Sequence, residues 1–156
     1  RAPAMRRTYK NPGAARGLAR AAHFDTKIAV LLRDDLLTWQ RLNVTAFLAS
    51  GIASNPELVG EPYADADDTS YLAMFRQPVT VLIGDKAALM AAHERAVRRG
   101  LPTAVFTAEL FATGHDEANR AAVRAVPAAG LDLVGLAVHG PRNAVDKVTR
   151  GSTLHP

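Results

Sequence analysis

The sequence has no cysteine and no long apolar run, and each absence excludes a class of protein. Without cysteine there is no disulfide framework, no thiolate metal site and no thiol nucleophile. This composition is typical of a reducing compartment, so we expect a cytoplasmic protein. No apolar stretch approaches the roughly 20 residues of a membrane helix, and none follows the N-terminal arginines. We therefore expect neither a membrane partner nor a secretory signal.

The basic character of the sequence is confined to one end of the chain. The net charge is +4, from 19 basic and 15 acidic side chains. Residues 1–22 contain no acid and six of the basic residues, namely Arg1, Arg6, Arg7, Lys10, Arg16 and Arg20. Residues 23–156 therefore hold 13 basic and 15 acidic side chains, a net charge of −2. We predict a solvated, disordered leader at 1–22 and a single domain at 23–156, whose mildly acidic surface supports tRNA only weakly as a partner.

Short apolar runs alternate with helical patterns through most of the chain. Buried strands are predicted at residues 26–33, 78–83, 101–106 and 131–138. Helices are predicted at residues 39–53, 86–99, 115–126 and 143–149. Tyr63 and Tyr71 are expected to flank a hairpin turn, with an edge strand at 71–76. The alternation of strands and helices predicts an α/β fold, with a mainly parallel sheet covered by helices on both faces.

The first helix combines an apolar body with a polar beginning. It lies in the stretch LLTWQRLNVTAFLASG, residues 36–51, with Thr38 as the predicted N-cap. Its content of Leu, Val, Ala and Phe predicts a helix that is buried rather than exposed at the surface. The hydrogen-bonding side chains in its first turns then need a separate explanation, and a ligand site is one.

Three segments of the sequence carry a family resemblance: RDDL after the first strand, GLPTAVF at the third, and GLAVHGPRNAVDKVT near the end. They resemble type-two peptidyl-tRNA hydrolases. The wider pattern, with TWQRLNVTAFLASGI, YLAMFRQPV and ELFATGHDEANRA, is more similar to a family of small uncharacterised bacterial proteins that share that fold. The resemblance implies a three-layer α/β/α sandwich around a mixed, mainly parallel sheet of about four strands, with the last strand antiparallel. It also implies a homodimer.

The same resemblance implies candidate catalytic positions. The hydrolases have Gly-Lys pairs at the start of the first helix, and one lysine is important for activity. This sequence has Gln40-Arg41-Leu42-Asn43 there, so Arg41 or Asn43 would occupy the neighbourhood of that lysine. The hydrolases also have an Asp just after the third strand and a Thr one turn beyond it. Glu109 and Thr113 stand in that region here.

The first polar segment, residues 34–45, follows the first strand. Loops at the carboxyl ends of parallel strands line the ligand crevice, and the N–H groups at a helix start favour an anion or a carbonyl oxygen. We predict that Arg41 and Asn43 act on a substrate there. Thr38, Gln40 and Thr45 are predicted to bind it. The alternative is a local role, in which Thr38 caps the helix while Asn43 and Thr45 bond to backbone.

The second polar segment, residues 107–119, follows the third strand. Glu109 has apolar neighbours, which suit a carboxylate to proton transfer. Thr107 and Thr113 are predicted to orient a substrate or a water molecule, and His115 is a further binding candidate. The alternative is that Thr113 to Asp116 only cap the next helix. We expect the two segments to open into one cavity shared by Arg41 and Glu109.

Neither a metal nor a cofactor is predicted. The histidines have no i, i+4 pair, and they are His23, His93, His115, His139 and His155. No phosphate-loop or dinucleotide glycine pattern is present. His139 ends the fourth strand, so it joins Arg41 and Glu109 if that strand is parallel. It lies at the opposite edge of the sheet if the strand is antiparallel.

Three functions are compatible with these residues. The first is an enzyme that hydrolyses an ester or amide bond in a small or aminoacyl-type substrate, with Arg41 or Asn43 polarising the carbonyl and Glu109 moving a proton. The second is a non-catalytic module that binds a small molecule. The third is a dimeric interaction protein that uses the fold without a ligand.

Overall fold

A five-stranded mixed sheet organises the chain in the computed structural model, which describes residues 23–156. Its strands are β1 (Thr26–Arg33), β4 (Val79–Gly84), β5 (Thr103–Thr107), β6 (Leu133–Pro141) and β7 (Thr153–Leu154), in the order β5-β6-β1-β4-β7. A separate hairpin consists of β2 (Tyr63–Ala64) and β3 (Ser70–Tyr71). The helices are α1 (Thr38–Ile52), α2 (Lys86–Arg98), α3 (Asp116–Arg124) and α4 (Arg142–Val148). The predicted leader at 1–22 lies outside the described residues.

The sheet is mixed, and the antiparallel direction that the resemblance implied for the last predicted strand is confirmed in β6, which lies between β1 and β5 and runs antiparallel to both. The expectation of mainly parallel pairing is wrong, because among the strands of residues 23–156 only β1 and β4 pair in parallel. The fifth strand, β7, pairs antiparallel with β4 through two residues only. A two-residue strand has no measurable period, so β7 could not be predicted from the sequence, whereas the direction of β6 was implied by the family resemblance and not by the residue pattern.

The central position of β1 explains its uninterrupted apolar run. Ile28, Val30 and Leu32 point into one apolar cluster, and Ala29 and Leu31 point into another on the opposite face. Side chains alternate between the faces of a strand, so a strand covered on both sides is apolar throughout. The first cluster contains the buried side chains of α1, and the second contains those of α2 and α4.

Helix α1 is only partly buried, which corrects the prediction from its composition. Its buried residues are Val44, Leu48 and Ile52, and these pack on the sheet. Trp39 and Leu42 are 57% and 69% exposed. One face of α1 contacts the sheet, and several large apolar side chains elsewhere on the helix stay more than half exposed, so apolar composition did not decide burial here.

Thr38 is not the N-cap of α1, which is a second correction. The extended residue before the helix is Leu37, and its backbone N–H donates to Gln40 Oε1 at 2.9 Å. Gln40 therefore performs the capping that was assigned to Thr38. By contrast, the N-cap of α2 is a side-chain cap, because the carboxylate of Asp85 accepts from Ala88 N at 2.7 Å.

The hairpin predicted between Tyr63 and Tyr71 is confirmed, since these two residues are paired across β2 and β3. The edge strand predicted at 71–76 is wrong beyond Tyr71. Asp65 organises the turn by accepting from Thr69 N at 3.0 Å and from the Tyr71 hydroxyl at 2.8 Å. The Tyr71 hydrogen bond is the main reason that the pKa of Asp65 lies below its usual range.

Within residues 23–156, no helix combines the length and the apolar character that crossing a membrane requires.

Candidate functional site

A cavity of about 580 Å³ lies between α1, the carboxyl half of the sheet and the segment after β7. Its walls are mostly apolar, with four polar residues among them. The lining residues are Leu32, Thr38, Arg41, Leu42, Thr45, Ala46, Val81 and His155. An apolar cavity of this size with a few converging polar groups is the usual form of a small-molecule site.

Arg41 is the charged group of this cavity. Its Nε donates to Leu36 O at 3.0 Å and its Nη2 donates to Asp34 O at 2.7 Å. Its Nη1 lies 3.2 Å from Nε2 of His155. No carboxylate in the described part of the chain forms an ion pair with Arg41. A guanidinium has five N–H donors, so the positive charge and two donors are left for a ligand.

His155 enters the cavity because the chain after β7 continues along β4. Its backbone N–H donates to Val81 O at 3.0 Å. Its ring Nδ1 lies 2.8 Å from Pro156 O, and only a protonated Nδ1 can donate there. Nε2 is then the lone-pair nitrogen that accepts from Arg41. These contacts assign the neutral Nδ1–H tautomer and leave Nε2 facing the guanidinium.

The remaining predicted residues of the first segment divide between the cavity and local roles. Thr38 and Thr45 line the cavity, and Thr45 Oγ1 donates to Arg41 O at 2.7 Å. That bond is the local contact given as an alternative for Thr45. Gln40 is occupied by the cap of α1. Asn43 is exposed and is not among the lining residues.

Glu109 lies on the other flank of α1, so the expected cavity shared with Arg41 is not formed. Glu109 is exposed, on a 3₁₀ turn (Ala108–Ala112) that follows β5. The same turn packs on α1 through Phe111, whose ring centroid is 5.7 Å from that of Trp39. Trp39 and Arg41 are two residues apart on a helix, a rotation of about 200°. The body of α1 therefore separates the Glu109 turn from the Arg41 cavity.

The other predicted residues of the second segment are Thr107, Thr113 and His115. Two of them form hydrogen bonds within the segment, and the third has no hydrogen-bond partner among residues 23–156. Thr113 Oγ1 lies within hydrogen-bond reach of Leu110 O and of Asn119 Oδ1. His115 Nδ1 accepts from Ala118 N at 3.3 Å, which is the capping alternative. Thr107 is 1% exposed, and its Oγ1 has no hydrogen-bond partner among residues 23–156. None of these three residues lines the Arg41 cavity.

A charged cluster at the carboxyl ends of β1 and β4 was not predicted from the sequence. Asp132 Oδ1 lies 2.8 Å from Arg33 Nη1 and 3.0 Å from Lys86 Nζ. Arg33 also contacts Asp35 through Nε at 2.7 Å. The Lys86 hydrogen bond, followed by that of Arg33, holds the pKa of Asp132 below its usual range despite partial burial. The cluster ties β1, α2 and the start of β6 together.

His139 lies at the opposite edge of the sheet from the Arg41 cavity, because β6 is antiparallel to β1. It lines a smaller cavity of about 360 Å³. Its Nε2 is buried without a partner in residues 23–156, and burial lowers the pKa of the ring. No three His, Asp or Glu side chains of that range converge as metal ligands would.

The chain is a mixed α/β protein, and the cavity lined by Arg41 lies on the face of the sheet that α1 covers. The chain belongs to the family described as "Protein of unknown function (DUF2000)", whose profile matches residues 26–156. A solved structure of a protein of unknown function from Agrobacterium tumefaciens is 47% identical to this chain, with a TM-score of 0.83. The match covers 86% of this chain and 100% of that one. No curated protein matches. The resemblance to an uncharacterised family is thereby confirmed.

Proposed function

We propose that this protein binds a small molecule with an apolar body and an anionic or carbonyl group, in the cavity between α1 and the segment after β7. The observation that carries the proposal is the Arg41 guanidinium, which sits at an apolar cavity of about 580 Å³ without a carboxylate partner in residues 23–156. A carboxylate or phosphate matches the fork of a guanidinium, and apolar walls favour a hydrocarbon body.

The position of Arg41 supports binding because the side chain is already fixed. Two backbone carbonyls hold its Nε and Nη2. A ligand then has little side-chain entropy to remove when it binds. Leu32, Leu42 and Val81 supply the apolar walls.

The experiment is a thermal-shift screen of the full chain against aliphatic and aromatic carboxylates, phosphate esters and their neutral amides, followed by calorimetry. We expect an acid to stabilise the protein and its matched amide to do so less. Ala46→Phe should abolish binding by filling the cavity, whereas Asn43→Ala, on α1 but outside the cavity, should not change it. Equal binding by Ala46→Phe and the wild type would reject this site.

A second candidate is hydrolysis of an ester or amide, which the Arg41–His155 contact favours. Arg41 would polarise the carbonyl oxygen, and His155 Nε2, once released from Arg41, would take a proton from water. The water oxygen would bond to the carbonyl carbon, and the proton would pass to the departing alcohol or amine as the scissile bond breaks. Helices on both faces of the sheet and the antiparallel β6 support the hydrolase-like sandwich implied by the resemblance.

Hydrolysis is tested by release of amino acid from N-blocked aminoacyl-tRNA and from small N-acyl amino acid esters. His155→Gln should abolish turnover but keep binding, because Gln preserves a side-chain acceptor. Activity that is lost in Glu109→Gln but kept in His155→Gln would instead restore the second polar segment as the catalytic one.

A further inference from the structure

Five basic side chains surround a concavity of about 640 Å³ on the opposite side of the sheet from the Arg41 cavity. They are Arg95, Arg98, Arg99, Lys147 and Arg150. The first three stand at the end of α2 and the others at the end of α4. No carboxylate of the described residues forms an ion pair with any of them.

This cluster is not a consequence of a basic surface. Residues 23–156 carry a net charge of −2, yet five of their 13 basic residues line this one concavity. Like charges that are brought together without counter-charges repel one another and reduce stability. A surface that is acidic on average would be expected to intersperse them with carboxylates.

Interactions with the carboxyl ends of the helices offset only part of the positive charge of this cluster. Arg95 Nη1 donates to Val148 O at 3.2 Å and to Arg150 O at 3.1 Å, so the carboxyl ends of α2 and α4 meet here. Arg99 Nη1 donates to Arg95 O at 3.2 Å. A helix end is equivalent to about −0.5 charge, so two ends offset about one of the five positive charges. About four remain without compensation from the helices.

We infer that this concavity binds a compact oligophosphate group, that is, a small molecule or free anion bearing two or more linked phosphates. Guanidinium groups bind phosphate oxygens through paired N–H donors, and four or more cations match the charge of two or three linked phosphates. Among residues 23–156, no aromatic side chain lines the concavity, so none of them would stack on a nucleobase there. Recognition would therefore depend on phosphate alone.

Arg98, Lys147 and Arg150 are the expected contacts, because none of them donates a side-chain hydrogen bond within residues 23–156. Arg95 and Arg99 are partly engaged by carbonyls and would set the positive potential around them. This site is independent of the proposed Arg41 site, since α2 and α4 pack on the opposite face of the sheet from α1.

The test is calorimetric titration of the full chain with tripolyphosphate, pyrophosphate and inorganic phosphate at two salt concentrations. Affinity should increase from phosphate to tripolyphosphate with one-to-one stoichiometry, and should fall as salt increases. The double variant Arg98→Gln/Lys147→Gln should bind tripolyphosphate about tenfold more weakly, because two charge-assisted contacts are lost.

The matched control is Arg76→Gln/Arg124→Gln, which removes the same charge from exposed positions outside the cluster. It also leaves the basic residues 1–22 unchanged, as the first variant does. The control should change affinity by less than about twofold. Equal weakening in both double variants, or no binding of tripolyphosphate by the wild type, overturns the proposal. Affinity for single-stranded RNA that increases with length and is not competed by tripolyphosphate would also overturn it, in favour of a nucleic-acid surface.

Discussion

The Nη1 atom of Arg41 lies 3.2 Å from Nε2 of His155, although the two residues are 114 positions apart in the chain. Arg41 follows β1 near the start of α1, and His155 follows the short strand β7. The parallel pairing of β1 with β4, and the antiparallel pairing of β7 with β4, bring them together. Through this contact, Arg41 and His155 together form the polar end of one cavity, although they are distant in the sequence.

Loss of the Arg41 fork should destabilise the protein as well as its site. Arg41→Gln removes hydrogen bonds to Leu36 O and Asp34 O, and leaves the partly buried Leu36 carbonyl without its donor, while the exposed Asp34 carbonyl can bond to water. We expect the free energy of unfolding to fall by about 1–3 kcal/mol in urea denaturation. Asn43→Ala, two positions further along α1 and exposed, should change it by less than about 0.5 kcal/mol. A similar loss in both variants would mean that the Arg41 contacts are not the cause.

Gly135 fixes how closely α1 approaches the sheet. A Cβ at this position would overlap Val44 Cγ1 and lie 2.9 Å from Leu48 Cδ1. Gly135→Ala should therefore lower the free energy of unfolding by about 1–3 kcal/mol through overpacking. Gly114→Ala is the matched control, because no atom of residues 23–156 lies within 4 Å of its added Cβ. Thermal unfolding compares the melting temperatures of the two variants. Equal melting temperatures would contradict this close packing of α1 on Gly135.

The Asp132 cluster should contribute stability only above acidic pH. Lys86 and Arg33 lower the pKa of Asp132 in the folded state, so its contribution is complete above the unfolded value of about 3.9 and is lost as pH falls through the lower folded value. Asp132→Asn should cost about 0.5–1 kcal/mol at neutral pH, since a side chain that is 35% exposed is screened by solvent. The difference from wild type should vanish in strong acid. A constant difference across the pH range would show that the charge is not responsible.

The stability of the protein should also depend on pH near neutrality, because of His139. Burial lowers its pKa, so the unfolded state binds a proton more readily than the folded state does. Stability is therefore complete above the unfolded value of about 6.5 and decreases as pH falls from there towards the lower folded value. In His139→Gln this part of the pH dependence should disappear. Denaturation series at several pH values measure it, with His23→Gln as the control on a histidine whose side chain is 78% exposed.

The candidate site was predictable only where its chemistry is local. Arg41, Thr38 and Thr45 were found because they follow a buried strand at the start of a helix, and all three line the cavity. His155 was missed because nothing in its neighbours or spacing distinguishes a residue near the end of the chain. Glu109 was placed with Arg41 on the rule for carboxyl ends of parallel strands, but the rotation of α1 separates them. The roles given to these residues stay predictions.

The sequence by itself determined the elements: β1 has the predicted bounds, α2 begins at the predicted Lys86, and Tyr63 and Tyr71 pair across a turn. Secondary-structure propensity, helix capping and the alternation of apolar and polar residues act over a few neighbouring residues, so they can be recognised in the sequence alone. Only the tertiary structure decided the two-residue strand β7, the exposed face of α1 and the partners of Arg41. Those features depend on which distant segments pack against each other. Contacts between distant segments produce no periodic pattern of residues in the sequence.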